Sequence, residues 1–134
     1  MSERTSEMLM FRVGSRVFAC DVQDVRRIGS PLEVPPEELL EETPLGRPFS
    51  QERGLVVVDA SGELERTVVV DHVLGVSSIP EDHVQPLPPF AAACMTSGAV
   101  AGFVLLDDSP TLLVDLPTLV SEHVAPPRSP EERP

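Results

Sequence analysis

The sequence predicts an all-β fold of the barrel or sandwich type, closed by a short C-terminal helix. At least six short apolar or β-branched runs are separated by turn signals. Fifteen prolines in 134 residues disfavour long helices and suit short strands with irregular connections. Hydrophobic residues make up 41% but aromatics only 4%, with no Trp or Tyr, so the core must be aliphatic. The length fits one domain, or two small lobes that share strands.

Met8–Val13 and Arg16–Val22 read as a first hairpin joined at Gly14-Ser15, after a frayed start over residues 1–6. Val22, Val25 and Ile28 recur at spacings of three, which suits one helical turn or a twisted strand end with one buried face. Gly29-Ser30-Pro31 ends it. Residues 31–53 are irregular, rich in proline and acid, and Glu37–Glu42 (EELLEE) is expected as a short acidic helix. Leu55–Val58 and Thr67–Val70 form the central hairpin around the Asp59-Ala60-Ser61-Gly62 turn. Valines on both faces of these strands predict cover on both sides. The second strand is expected to continue through Asp71 to a bend at Gly75, and Ser77–Asp82 to turn. His83–Pro89 reads as an extended edge or linker. Ala99–Leu106 is a strand in which Gly102 marks a bulge or a close backbone contact. Asp107–Pro110 turns the chain, Thr111–Val114 returns, and Asp115–His123 forms a helix that packs Leu116, Leu119 and Val120. The tail from Ala125 reads as disordered.

The charge balance is 22 acidic against 10 basic residues, net −12. That argues against a nucleic-acid partner and against an anionic membrane surface. The first residues have no long apolar core, and no run reaches spanning length, so a cytoplasmic location with reduced thiols is expected. Cys20 and Cys94 are too few for a disulfide framework and read as core filler. His72, His83 and His123 lack metal-ligand spacing. Asp71-His72 is the nearest thing to an acid–base pair, but adjacent strand residues face opposite ways. No glycine loop cradles a phosphate. No catalytic residue, cofactor or metal is expected. The one concrete enzyme alternative is a small β-barrel enzyme or ligand-binding domain, such as an aspartic-protease-like dimer using Asp59.

Four stretches in order carry a resemblance: Leu9–Ile28 (strand, turn, strand, then V-x-x-V), Val68–Val76 (VVVDHVLGV), Ile79–Pro88 (IPEDHVQPLP) and Ala101–Val120 (AGFVLLDDSPTLLVDLPTLV). Together, over roughly Met8 to Val120, they resemble the CheW-like family, the coupling proteins of bacterial chemosensory arrays. The resemblance implies a pair of small intertwined β-barrels over residues 1–124. One departure stands out. A strand pair usual in the family is missing, and the acidic 31–53 connection stands in its place. A complete first barrel and a reduced second one follow, as in a shortened coupling adaptor of the kind gliding bacteria use.

By the same resemblance the protein is a non-enzymatic adaptor. Its expected partners are the cytoplasmic tip of a chemoreceptor and a histidine kinase of the CheA type, the latter directly or through another coupling protein. Val25 and Ile28 match positions near the groove that holds the receptor's helical tip, and Val70, Val73 and Gly75 lie on the matching central strand. A shortened barrel could also pair free edges in a homodimer.

Overall fold

The structure is a computed structural model that describes residues 4–35, 38–41, 43, 45–50, 52–87, 99–106 and 109–123. The described strands are β1 (Thr5–Val13), β2 (Arg16–Asp21), β3 (Val25–Gly29), β4 (Leu39–Leu40), β5 (Arg53–Val58), β6 (Glu65–Val70), β7 (His72–Pro80), β8 (Val84–Gln85), β9 (Val100–Leu106) and β10 (Ser109–Val114), followed by helix α1 (Leu116–His123). They form a six-stranded sheet, ordered β7-β1-β2-β10-β9-β8, and a four-stranded sheet, ordered β3-β5-β6-β4. Pairing is antiparallel except for β2 with β10 and β4 with β6.

The larger sheet must curl. Its two edge strands, β7 and β8, are joined by a single 3-10 turn over Glu81–His83. Such a link spans at most about 14 Å, whereas the edges of a flat six-stranded sheet lie about 24 Å apart. Inside the curl sit Met10, Ala19, Ile79, Val104 and Leu113. The opposite face of the sheet packs Leu9, Phe11, Val13, Phe18 and Cys20 against Leu55, Val57, Val68 and Val70 of the smaller sheet. Phe11 and Phe18 face each other across the first hairpin, with ring centroids 5.9 Å apart. Strand β1 therefore serves two cores, and its side chains alternate between them at the strand period of two.

Helix α1 starts where Asp115 caps it: the Asp115 side chain accepts from the Thr118 amide at 3.2 Å, and its carbonyl from the Leu119 amide at 3.0 Å. Leu116, Leu119 and Val120 are all fully buried in the main core, as the sequence predicts. The central hairpin is β5–β6, with Leu55 opposite Val68 and Val58 opposite Glu65. Its valines are buried on both faces, except Val58 at the end of β5, which is half-buried.

Gly102 shows both features expected of it. Pairing of β9 with β10 shifts register between Leu113 and Val114, and a Cβ at Gly102 would overlap the Gln85 carbonyl oxygen. Gly102→Ala is expected to cost about 1–3 kcal/mol by overpacking, seen as a lower urea midpoint in far-UV circular dichroism. An unchanged midpoint would show that β8 is free to move aside.

The sequence misleads at four places. Strand β1 begins at Thr5, so residues 5 and 6 are paired with β7 rather than frayed. The described part of the expected acidic helix is instead a strand: Leu39 and Leu40 pair in parallel with Thr67 and Val68 of β6. Six residues are too few for a stable isolated helix, and the half-buried Leu40 packs against the main core instead. The expected long strand through Asp71 is broken there, and β6 and β7 belong to different sheets. Finally, Ser77–Pro80 lies in β7, and only Glu81–His83 turns. Within 31–53, Pro31–Glu33 is a 3-10 turn capped by Ser30, and Thr43 bridges to Gly46 around the buried Leu45. The tail from Ala125, Cys94 and Asp107-Asp108 lie outside the described residues.

Candidate partner-binding surface

Four of the five predicted contact residues fall on two edge strands, one from each sheet. Val25 and Ile28 lie on β3, an edge of the smaller sheet, and Val73 and Gly75 lie on β7, an edge of the larger one. Val25 and Val73 are half-buried and lean against the same main core from these two strands. Ile28 is 44% exposed. Gly75 is exposed with φ +133°, at the point where the β1–β7 register shifts. Only glycine adopts that backbone angle without strain. Val70 does not belong to this surface. It ends β6, is fully buried and packs in the main core, because its side chain follows the inward alternation of Val68.

The sequence reading passed over Leu74 and Val76, which flank Gly75 and are 48% and 54% exposed. They make β7 an apolar edge. Their signal was present as two aliphatic residues around a strand glycine, but strand alternation alone does not tell an outward valine from an inward one at a bulge. Beside Ile28, Arg27 reaches Glu65 at 3.6 Å, an exposed contact of small energetic weight.

The residues weighed for chemistry have structural work. Asp59 organises its own loop: its carboxylate accepts from the Ser61 hydroxyl at 2.7 Å and from the amides of Glu63 and Leu64 at 3.2 and 3.3 Å. The Ser61 hydroxyl, aided by these amides and outweighing partial desolvation, holds its pKa below the usual carboxylate value. An aspartic-protease carboxyl needs a partner carboxylate and a shared proton, which raises one of the two pKa values. Asp59 shows the reverse.

Asp71 and His72 point opposite ways, as expected, with Asp71 buried and His72 exposed. Asp71 is the joint of the fold. One carboxylate oxygen accepts from the Gly14 amide at 2.6 Å, and the other from the Ser50 amide and, at 3.1 Å, the Ser50 hydroxyl. Its own amide donates to the Arg12 carbonyl at 2.9 Å. Burial pushes its pKa up, but the amides of Ser50, Gly14 and Phe49 and the Ser50 hydroxyl outweigh that and hold it below the ordinary value. Cys20 is buried, and desolvation, then Asp24 and Asp21, push its thiol up to about 12, so it is inert core. Burial, then Asp21 and Asp115, raises Asp24. Among the described residues no group of His, Cys, Asp and Glu is placed to hold a metal ion, and no helix is long and apolar enough to cross a membrane.

Comparison with known proteins identifies the family to which this arrangement belongs. Residues 34–124 match the CheW-like domain, and the chain belongs to that family. It is 37% identical to the frizzy aggregation protein FrzB of Myxococcus xanthus over 112 residues, which is 82% of this chain and 90% of that protein. The fold matches the crystal structure of the scaffolding protein TtCheW from Thermoanaerobacter tengcongensis with a TM-score of 0.65, at 17% identity, covering 83% of this chain and 89% of that one.

Proposed function

We propose that this chain is a non-enzymatic, cytoplasmic adaptor in a bacterial chemosensory array. It binds the cytoplasmic tip of a chemoreceptor and helps to couple it to a histidine kinase of the CheA type, directly or through a second coupling protein. Residues 1–124 act as one domain, and 125–134 lie outside it. The observation that carries this reading is the pair of apolar edge strands in a CheW-like fold: Val25 and Ile28 on β3, and Val73 and Gly75 with Leu74 and Val76 on β7. A receptor tip is helical, and an apolar surface receives a helix through its i, i+3 and i+4 side chains. The kinase contact is the weaker half, because among the described residues the smaller sheet has four strands and one of them, β4, is two residues long.

The test is a pair of separate titrations, against the cognate receptor tip and against the regulatory barrel domain of the cognate kinase. Binding to the receptor alone supports a shortened adaptor that reaches the kinase through another protein. Binding to both makes it a complete coupler. Binding to neither, or a homodimer that blocks both, overturns the reading.

A further inference from the structure

Strand β10 is flanked on both sides, but its two ladders differ in length. With β9 it pairs from Ser109 to Val114. With β2 it pairs in parallel only from Leu112 to Val114, against Phe18 to Cys20. In that register the next alternate rung would set Pro110 beside Arg16, and proline has no N–H to donate to it. Arg16 and Val17 stay tied to β1 on their other side, opposite Val13 and Arg12. The two strands therefore part beyond Phe18 and Leu112, and an open cleft of about 720 Å³ lies there. That is within the range of about 300–1,000 Å³ that small-molecule sites occupy.

The walls of the cleft are apolar and reach both cores. Met10 belongs to the core inside the curl, Val17 and Leu106 pack against that core, and Leu112 packs against the main one. Among these side chains stands one polar group without a use in the fold. Thr111 lines the cleft and is only 5% exposed, yet its hydroxyl makes no hydrogen bond among the described residues. It shares the inner face of the curl with Leu113, two residues on. Buried hydroxyls are as a rule hydrogen-bonded, so one left over in a cleft points to something that enters it. Charge selects neither an anion nor a cation. Arg16 is part of the lining, and Asp107-Asp108 follow Leu106 directly in sequence. A partner strand finds no ladder to join, since Pro110 offers no donor.

We infer that the cleft between β2 and β10 is a binding site for a small, neutral, aromatic molecule that bears one hydrogen-bonding group. The ring lies among Met10, Val17, Leu106 and Leu112, where the Met10 thioether favours an aromatic neighbour. The polar group meets the Thr111 hydroxyl. This stands apart from the adaptor reading, since no lining residue lies on β3 or β7.

The test titrates the full chain with two neutral probes, 2-naphthol and naphthalene, and follows amide chemical shifts. Both are expected to give saturable shifts at residues 15–18 and 111–113. Thr111→Val removes the hydroxyl and keeps the branched shape. It is expected to weaken 2-naphthol about three- to tenfold, to leave naphthalene as tight or tighter, and to hold or raise the urea midpoint. Val17→Phe fills the cleft and is expected to abolish the shifts with both probes. No saturable binding by the wild-type chain overturns the inference, as do shifts centred on β3 or β7. Unchanged 2-naphthol binding by Thr111→Val, equal weakening of the two probes, or a fall in its urea midpoint does the same, the last by giving the hydroxyl a partner in the fold. So do shifts at the cleft that depend on protein concentration without probe, which would assign it to a second copy. If Val17→Phe does not fold, the Thr111→Val comparison decides alone.

Discussion

Replacing Asp71 with alanine is expected to lower the folding free energy by about 2–5 kcal/mol, since a buried donor left without its acceptor costs about 1–3 kcal/mol and two amides, those of Gly14 and Ser50, lose theirs together with the Ser50 hydroxyl. With a urea slope of about 1–3 kcal/mol/M, the midpoint falls by about 2 M. With no Trp or Tyr in the chain, far-UV circular dichroism is the natural readout. A fall of under 0.5 M would mean that water satisfies those amides and that Asp71 is no joint. The same contacts set a pH dependence. The folded pKa of Asp71 lies below the ordinary value of 3.8, so its contribution is fully present above the unfolded pKa and is lost as pH falls through the folded one. The gap in stability between wild type and Asp71→Ala should therefore be constant from neutral pH down to about 5 and narrow below about 4. Taking the difference removes the parallel contribution of Asp59, whose pKa is lowered as well. A gap that widens on acidification would reverse the assigned sign.

The second large effect concerns partner binding. Val25→Asp is expected to weaken receptor-tip binding by about thirtyfold or more, the loss typical of a buried hot-spot residue, while the protein stays folded. Because Val25 is half-buried against the main core, Ile28→Asp provides a second probe at a 44% exposed position with less hold on the fold. Isothermal titration of both variants, with circular dichroism as a control for folding, decides the matter. Folded variants that bind as wild type does would remove β3 from the receptor surface.

Much of the architecture could be read from residue patterns. The β-branched runs at Leu55–Val58 and Thr67–Val70, the glycine turn at Gly14 and the helix with Leu116, Leu119 and Val120 inward all follow from local chemistry, and the structure has them. What could not be read is where the chain changes sheets. Val68 to Val76 looks continuous, since a strand that ends and one that begins elsewhere carry the same valines. The break is made by Asp71, whose acceptors are satisfied by amides 57 and 21 residues away in sequence. For the same reason Val70 looked like part of a contact strand although it is core, and Leu39–Leu40, flanked by glutamates, looked helical although β6 supplies a ready edge. The cleft beyond Leu112 was invisible because it depends on which strand β10 meets across the sheet and not on the stretch SPTLLV.

The alternation along β1 constrains how the molecule comes apart. Leu9, Phe11 and Val13 fill one core while Met10 fills the other, so the strand is a wall common to both. Neither core can melt and leave its neighbour intact, and slipping β1 by one residue would turn both inside out together. Amide protons of β1 should accordingly exchange only through global opening, at one rate limit shared by β2, β5 and β6. Evolution could shorten the smaller sheet at its β4 margin without dividing the protein into separately melting halves, because β1 still lines both cores.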